Sequence, residues 1–148
     1  MATYTLYGTN NAGAWDDVDK VKCIRVRVQG VNGYVTADVI KAIYIPAGTL
    51  VLNVMTKCVT PQTTTSTCTA LTATVGDSGS ANGWDASVDL FATAGTVLAG
   101  IAASETGRGL AAGYFYASAD YIKLTLTLTG GGASTDFVFD VMAVCVQF

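Results

Sequence analysis

The inventory of reactive side chains in these 148 residues is eleven carboxylates, four cysteines and no histidine. It sets which chemistry is open. Without an imidazole, no Ser–His or Cys–His nucleophile can be assembled. A pair of acids working as general acid and base would need two carboxylates held at a set separation. Glu105 is the lone glutamate, and no two acids fall into a recognisable catalytic spacing, so surface acids are the simpler account. No glycine-rich phosphate loop is present, and G-G-G at 130–132 sits where a turn between strands explains it. The expectation is a protein that performs no catalysis and carries no cofactor.

One acid-rich loop, G-D-S-G-S-A-N-G-W-D-A-S-V-D (76–89), offers Asp77, Asn82, Asp85 and Asp89 as oxygen ligands for a hard cation such as calcium. Gly79 and Ala81 stand where an EF-hand loop requires Asp or Asn, and Asx and Gly residues shape turns unaided. No metal is therefore assigned. Cys23, Cys58, Cys68 and Cys145 contain no C-x-x-C pair, and spacings of 34, 9 and 76 intervening residues are unlike those of structural zinc sites. Cys58 and Cys68 flank P-Q-T-T-T-S-T and leave a disulfide open. Four buried thiols acting as small hydrophobes is the favoured reading.

The elements that would carry these residues are strands. Threonine occurs 21 times and, with Val, Ile and Tyr, suits pleated half-buried surfaces. Residues 121–129 alternate cleanly, with Ile122, Leu124, Leu126 and Leu128 on one side and Lys123, Thr125, Thr127 and Thr129 on the other. In 136–148, Phe137, Phe139, Val141, Ala143 and Cys145 share a face. The opposite face runs from Asp136 and Asp140 to Met142, Val144, Val146 and Phe148, so it should be covered by a further layer or another subunit. In 21–29, Ile24, Val26 and Val28 point inward and Arg25 and Arg27 outward. In 50–60 the alternation predicts Leu50, Leu52, Val54 and Cys58 on one face, with Asn53 and Lys57 opposite. In 68–75, Leu71, Ala73 and Val75 turn inward. Pro46-Ala47-Gly48 marks a turn, and the Ala/Gly-rich stretch 92–104 has room for one short helix. Six to eight strands separated by short turns predict an all-β fold. It is a single-domain antiparallel β-sandwich or jelly-roll over 21–148, preceded by an extended N-terminal arm over 1–20.

Composition limits the partners. Hydrophobic residues make up 51% of the chain and charged ones 13%, which is incompatible with intrinsic disorder. A net charge of −3 lacks the basic surface that nucleic acid demands. The longest apolar runs, 97–103 and 141–146, fall far short of a membrane-spanning helix, and the N-terminus has no basic region of the secretory type, so neither membrane insertion nor secretion is expected. Tyr4, Leu6, Tyr7 and Trp15 are more apolar anchors than a free Asn/Gly/Asp-rich tail should carry. They are interface candidates, whereas Trp84 and Phe115 read as core residues.

Four segments carry a resemblance: I-Y-I-P-A-G-T-L-V-L-N-V (43–54), T-A-T-V-G-D-S-G-S-A-N-G-W-D-A-S-V-D-L (72–90), Y-I-K-L-T-L-T (121–127) and F-D-V-M-A-V-C-V-Q-F (139–148). In this order the chain, over about residues 40–148, resembles small capsid proteins of tailed bacteriophages, particularly of marine and cyanobacterial phages. The resemblance implies a cement or decoration protein made in the host cytoplasm. Such a subunit, usually a homotrimer, binds the outside of the head and bridges neighbouring major capsid protein subunits. On that reading Tyr4, Leu6, Tyr7 and Trp15 form the N-terminal contact, and Val146 and Phe148 the contact at the other end. The competing reading is a receptor- or glycan-binding β-sandwich (a head spike, fibre tip or lectin) in which Trp84 and Tyr114 stack on sugar rings.

Overall fold

The computed structural model describes residues 1, 3–5, 20–63, 68–99, 108, 113–130 and 132–148; for 3–5, 98 and 99 it describes the backbone alone. Among the described residues ten strands follow one another: β1 (Thr3–Thr5), β2 (Val21–Gln29), β3 (Val39–Ile45), β4 (Thr49–Thr60), β5 (Ala70–Gly76), β6 (Asp85–Asp89), β7 (Val97–Ala99), β8 (Tyr114–Tyr116), β9 (Asp120–Thr129) and β10 (Val138–Gln147). They form two sheets. The first has the order β1-β3-β9-β5-β6, and the second β2-β10-β4-β7 with β8 also paired to β4. Pairing is antiparallel except at the edge of the first sheet, where β1 runs parallel to β3. The fold is the all-β sandwich that the alternation predicts. Among the described residues the one helical element is a 3-10 turn at Gly30–Asn32. Of the stretch considered for a helix, 92–96 is turn and Val97–Ala99 is β7; 100–104 lies outside the described residues.

One continuous core forms between the sheets. β9 contributes Ile122, Leu124, Leu126 and Leu128, β5 contributes Leu71, Ala73 and Val75, and β10 contributes Phe139, Val141, Ala143 and Cys145, with Phe137 just before it. Each of these sets follows the expected period of two. Gly30 closes the end of β2 against Phe137; a Cβ there would stand 2.5 Å from the Phe137 ring, so only glycine allows the approach.

Two of the longer strands break the period, and both do so at a bulge. In β3 the pairing to β9 slips between Lys41 and Ile43, so the buried positions change from Ile40 to Ile43 and Ile45. In β4 the pairing to β10 slips at the Leu52–Asn53 step: Asn53 opposes Val144, while Val51 opposes Cys145. A one-residue insertion moves every following side chain to the other face. Beyond Asn53, Val54 and Cys58 point into the core as predicted, and Thr56 is buried between them. Before it, Thr49 and Val51 are the buried residues, and Leu50 and Leu52 leave the core face on which the alternation had placed them.

The cysteine expectation needs one correction as well. Cys58, Cys68 and Cys145 are buried free thiols, but Cys23 is exposed, because it shares the outward parity of Arg25 and Arg27 on β2. Burial pushes the Cys58 and Cys68 thiols up and holds Cys145 at about 11, so none of the three is a ready nucleophile.

Candidate functional site

Because Cα partners on adjacent strands place their side chains on the same face, the outer surface of the second sheet can be read row by row. The first row crosses four strands. Val21 opposes Val146, Val146 opposes Leu50, and Leu50 opposes Phe115. Val21 is 69% exposed and Phe115 50% exposed, with Val146 and Leu50 half-buried between them. Phe148, 65% exposed, extends this row; its ring centroid lies 6.5 Å from that of Phe115. The next row holds Cys23, Val144 and Asn53, and the one after it Arg25, Met142 and Met55.

The far end of the face is charged. Asp140 stands between Arg27 and Lys57 in register. Arg27 donates from Nε to Asp140 Oδ1 at 2.8 Å and from a terminal nitrogen to Oδ2 at 3.1 Å, while Arg25 approaches to 3.8 Å. The Arg27 hydrogen bonds, helped by the charges of Arg25 and Lys57, outweigh desolvation and hold the Asp140 carboxyl below the usual carboxylate range. A group with a depressed folded pKa stabilises the native state above its unfolded pKa and loses that contribution as the pH falls through the folded value. Asp140→Asn should therefore lower the urea midpoint at neutral pH. Its deficit relative to the unaltered protein should shrink progressively below about pH 4. A deficit independent of pH would refute the charged pairing.

A second cluster ties the acid-rich loop to β8. Asp77, buried at the end of β5, caps its own turn by accepting from Gly79 N at 2.8 Å and Ser80 N at 2.9 Å. It also accepts from the Tyr116 hydroxyl at 2.6 Å and from Arg108 Nη2 at 2.8 Å, and Arg108 Nε lies 2.6 Å from its other oxygen. Trp84, fully buried, donates Nε1 to the Tyr116 hydroxyl at 3.1 Å. Burial, reinforced by Asp77, raises the Tyr116 pKa far above the ordinary tyrosine range and keeps the phenol protonated as a donor. The Arg108 guanidinium stacks 3.5 Å over the Tyr114 ring. Burial works against its charge, but the interactions with Tyr114 and Asp77 prevail and its pKa is raised. A cleft of about 410 Å³ opens here, lined by Arg108, Tyr114, Phe115 and Ser118 among others, and it adjoins the apolar row at Phe115.

This geometry revises several sequence expectations. Asp77 faces a guanidinium and a tyrosine hydroxyl; Asp85 and Asp89 cap the backbone N–H groups of Ser87 and Phe91. Among the described residues no group of three or more Cys, Asp or Glu is arranged to hold a metal. Trp84 is core, as expected, and so is withheld from any sugar. Phe115, expected in the core, is surface: β8 pairs at the edge of β4, and its parity there matches outward-facing Leu50. Val146 and Phe148 lie together on the apolar row. Tyr4 lies in β1 opposite Ile40, while Leu6, Tyr7 and Trp15 lie outside the described residues. Arg108 escaped the sequence reading; its one signal is that it stands alone in a long stretch without other arginines.

The fold recurs in two solved structures. A chain of the cyanophage Pam1 capsid asymmetric unit matches with a TM-score of 0.61 and 19% identity, covering 86% of this chain and 85% of that one. A chain of the capsid of Ralstonia phage GP4 matches with a TM-score of 0.62 and 16% identity, covering 90% and 88%. The chain shares its fold with phage capsid components. No family model and no curated protein sequence matches it.

Proposed function

We propose that this protein is a structural component of a phage virion, a decoration or cement subunit that binds the outer surface of the head and bridges neighbouring major capsid protein subunits as a homotrimer. The observation that carries the reading is the outer face of the second sheet, where Val21, Val146, Leu50, Phe115 and Phe148 form a continuous apolar surface. Exposed apolar patches of this kind mark interaction surfaces. The fold likeness to two phage capsid chains over most of their length supports it. The reading involves no chemical step. Stabilisation comes by mass action, because the subunit binds the assembled shell in preference to free coat protein. A trimer that engages several coat subunits at once gains avidity without new contacts.

Tyr4, Leu6, Tyr7 and Trp15 supply the N-terminal contact in this account. Electron cryo-microscopy of the parent virion should show copies of this chain on the head exterior, and the purified protein should have the solution mass of three chains. Deleting residues 1–15 should lower its retention on heads by about tenfold or more. Unchanged occupancy after deletion would remove the N-terminal segment from the mechanism, and virions without the chain would end the proposal.

A further inference from the structure

We infer that the outer face of the second sheet is the surface that meets the coat shell, and that the shell presents there an apolar strip beside a cluster of carboxylates. The inference rests on the decoration reading and adds which face docks and what chemistry it meets. Along the strands of this face the character changes within a few residues. It is apolar at Val21, Val146, Leu50 and Phe115, and cationic at Arg25, Arg27 and Lys57.

Among the described residues one carboxylate at the cationic end, Asp140, serves three cations, which leaves a surplus there of two positive charges on a chain whose net charge is −3. The side chains of Arg25 and Arg27 are 65% and 48% exposed, so the surplus faces outward. A partner that covers the face must place negative charge there, since like charges brought together cost several kcal/mol.

A second copy of the same face does not satisfy this. A two-fold axis parallel to the strands would set cations against cations. An axis perpendicular to them, in the plane of the contact, would set the apolar row against the charged end. The face therefore fits a different surface, acidic where this one is basic and apolar where this one is apolar.

The test uses the full-length protein and heads that lack it. Arg25→Glu combined with Lys57→Glu changes two exposed side chains. Phe148→Ser removes an exposed ring from the apolar end. Thermal unfolding and solution mass serve as controls for fold and assembly. Head occupancy is then measured at about 0.05 M and about 0.5 M salt.

The charge-reversed protein should keep its mass and bind heads at least about tenfold more weakly at low salt. Binding of the unaltered protein should weaken as salt rises, and that dependence should be lost or inverted in the charge-reversed variant. Phe148→Ser should weaken binding at both salt concentrations. Heads that bind the charge-reversed and Phe148→Ser proteins as tightly as the unaltered one would overturn the docking face while leaving the decoration reading intact. Variants that lose their assembled mass would do the same, by assigning the face to contacts between copies. Failure of the unaltered protein to bind heads would overturn the decoration reading itself.

Discussion

Replacing Asp77 with alanine is expected to destabilise the protein by about 3–5 kcal/mol, the cost of removing one partner from a buried ion pair. For a chain of this length that corresponds to a fall in thermal midpoint on the order of 10 °C. The cost comes from what would be left behind. The Arg108 side chain is only 13% exposed, the Tyr116 hydroxyl is buried, and the N–H groups of Gly79 and Ser80 would lose their acceptor together. Tyr116→Phe removes a single link, the hydroxyl that donates to Asp77 and accepts from Trp84, and should cost only about 1–2 kcal/mol. Chemical denaturation of the two variants checks the order. A loss below about 1 kcal/mol for Asp77→Ala would show that water replaces the carboxylate, and that the cluster does not hold the loop to β8.

Gly113→Ala is expected to be the most damaging single methyl group near the proposed interface. Gly113 has φ +84, and a Cβ there would stand 2.2 Å from Val51 O and 2.8 Å from Leu52 Cα. Both obstacles are β4 backbone, so relief requires β8 to move away from Thr49–Val51. Left-handed strain in a non-glycine residue costs about 1–3 kcal/mol, and the overlap adds to it. Displacing β8 would also withdraw Phe115 from the apolar row and Tyr116 from Asp77. The expected result is a loss of about 3 kcal/mol or more, with amide exchange at Tyr114–Tyr116 rising far more than in β9 or β10. Exchange raised equally throughout the sheets would mean that β8 does not detach separately.

Where the alternation of apolar and polar residues runs unbroken, the strand and its core face are both legible in one dimension. β2, β5, β9 and β10 are of this kind: Ile24 and Val28, Leu71 to Val75, and Ile122 to Leu128 point where a period of two puts them. β3 is not, because Ala42 is an extra residue opposite β9 and disrupts the pattern over only seven residues. β6, β7 and β8 are too short to show a period, being three to five residues each. Of the proposed contact, Val146 and Phe148 follow from the outward parity of β10. The pairing of Arg108 with Asp77 does not, since 30 residues separate them and no local pattern links the two.

Composition and periodicity alone determined the class of this protein. Abundant β-branched residues in short alternating runs, with few charges, pointed to a β-sandwich or jelly-roll, and the lack of histidine left no recognisable catalytic motif. The tertiary structure decided which apolar residues were surplus to the core. An insertion at Leu52–Asn53 acquires meaning only against β10, where it turns Leu50 outward, and Phe115 joins Leu50 only because β8 pairs at the edge of β4. Burial is a property of the neighbours that cover a side chain, and for this face those neighbours come from strands nearly a hundred residues away in the chain.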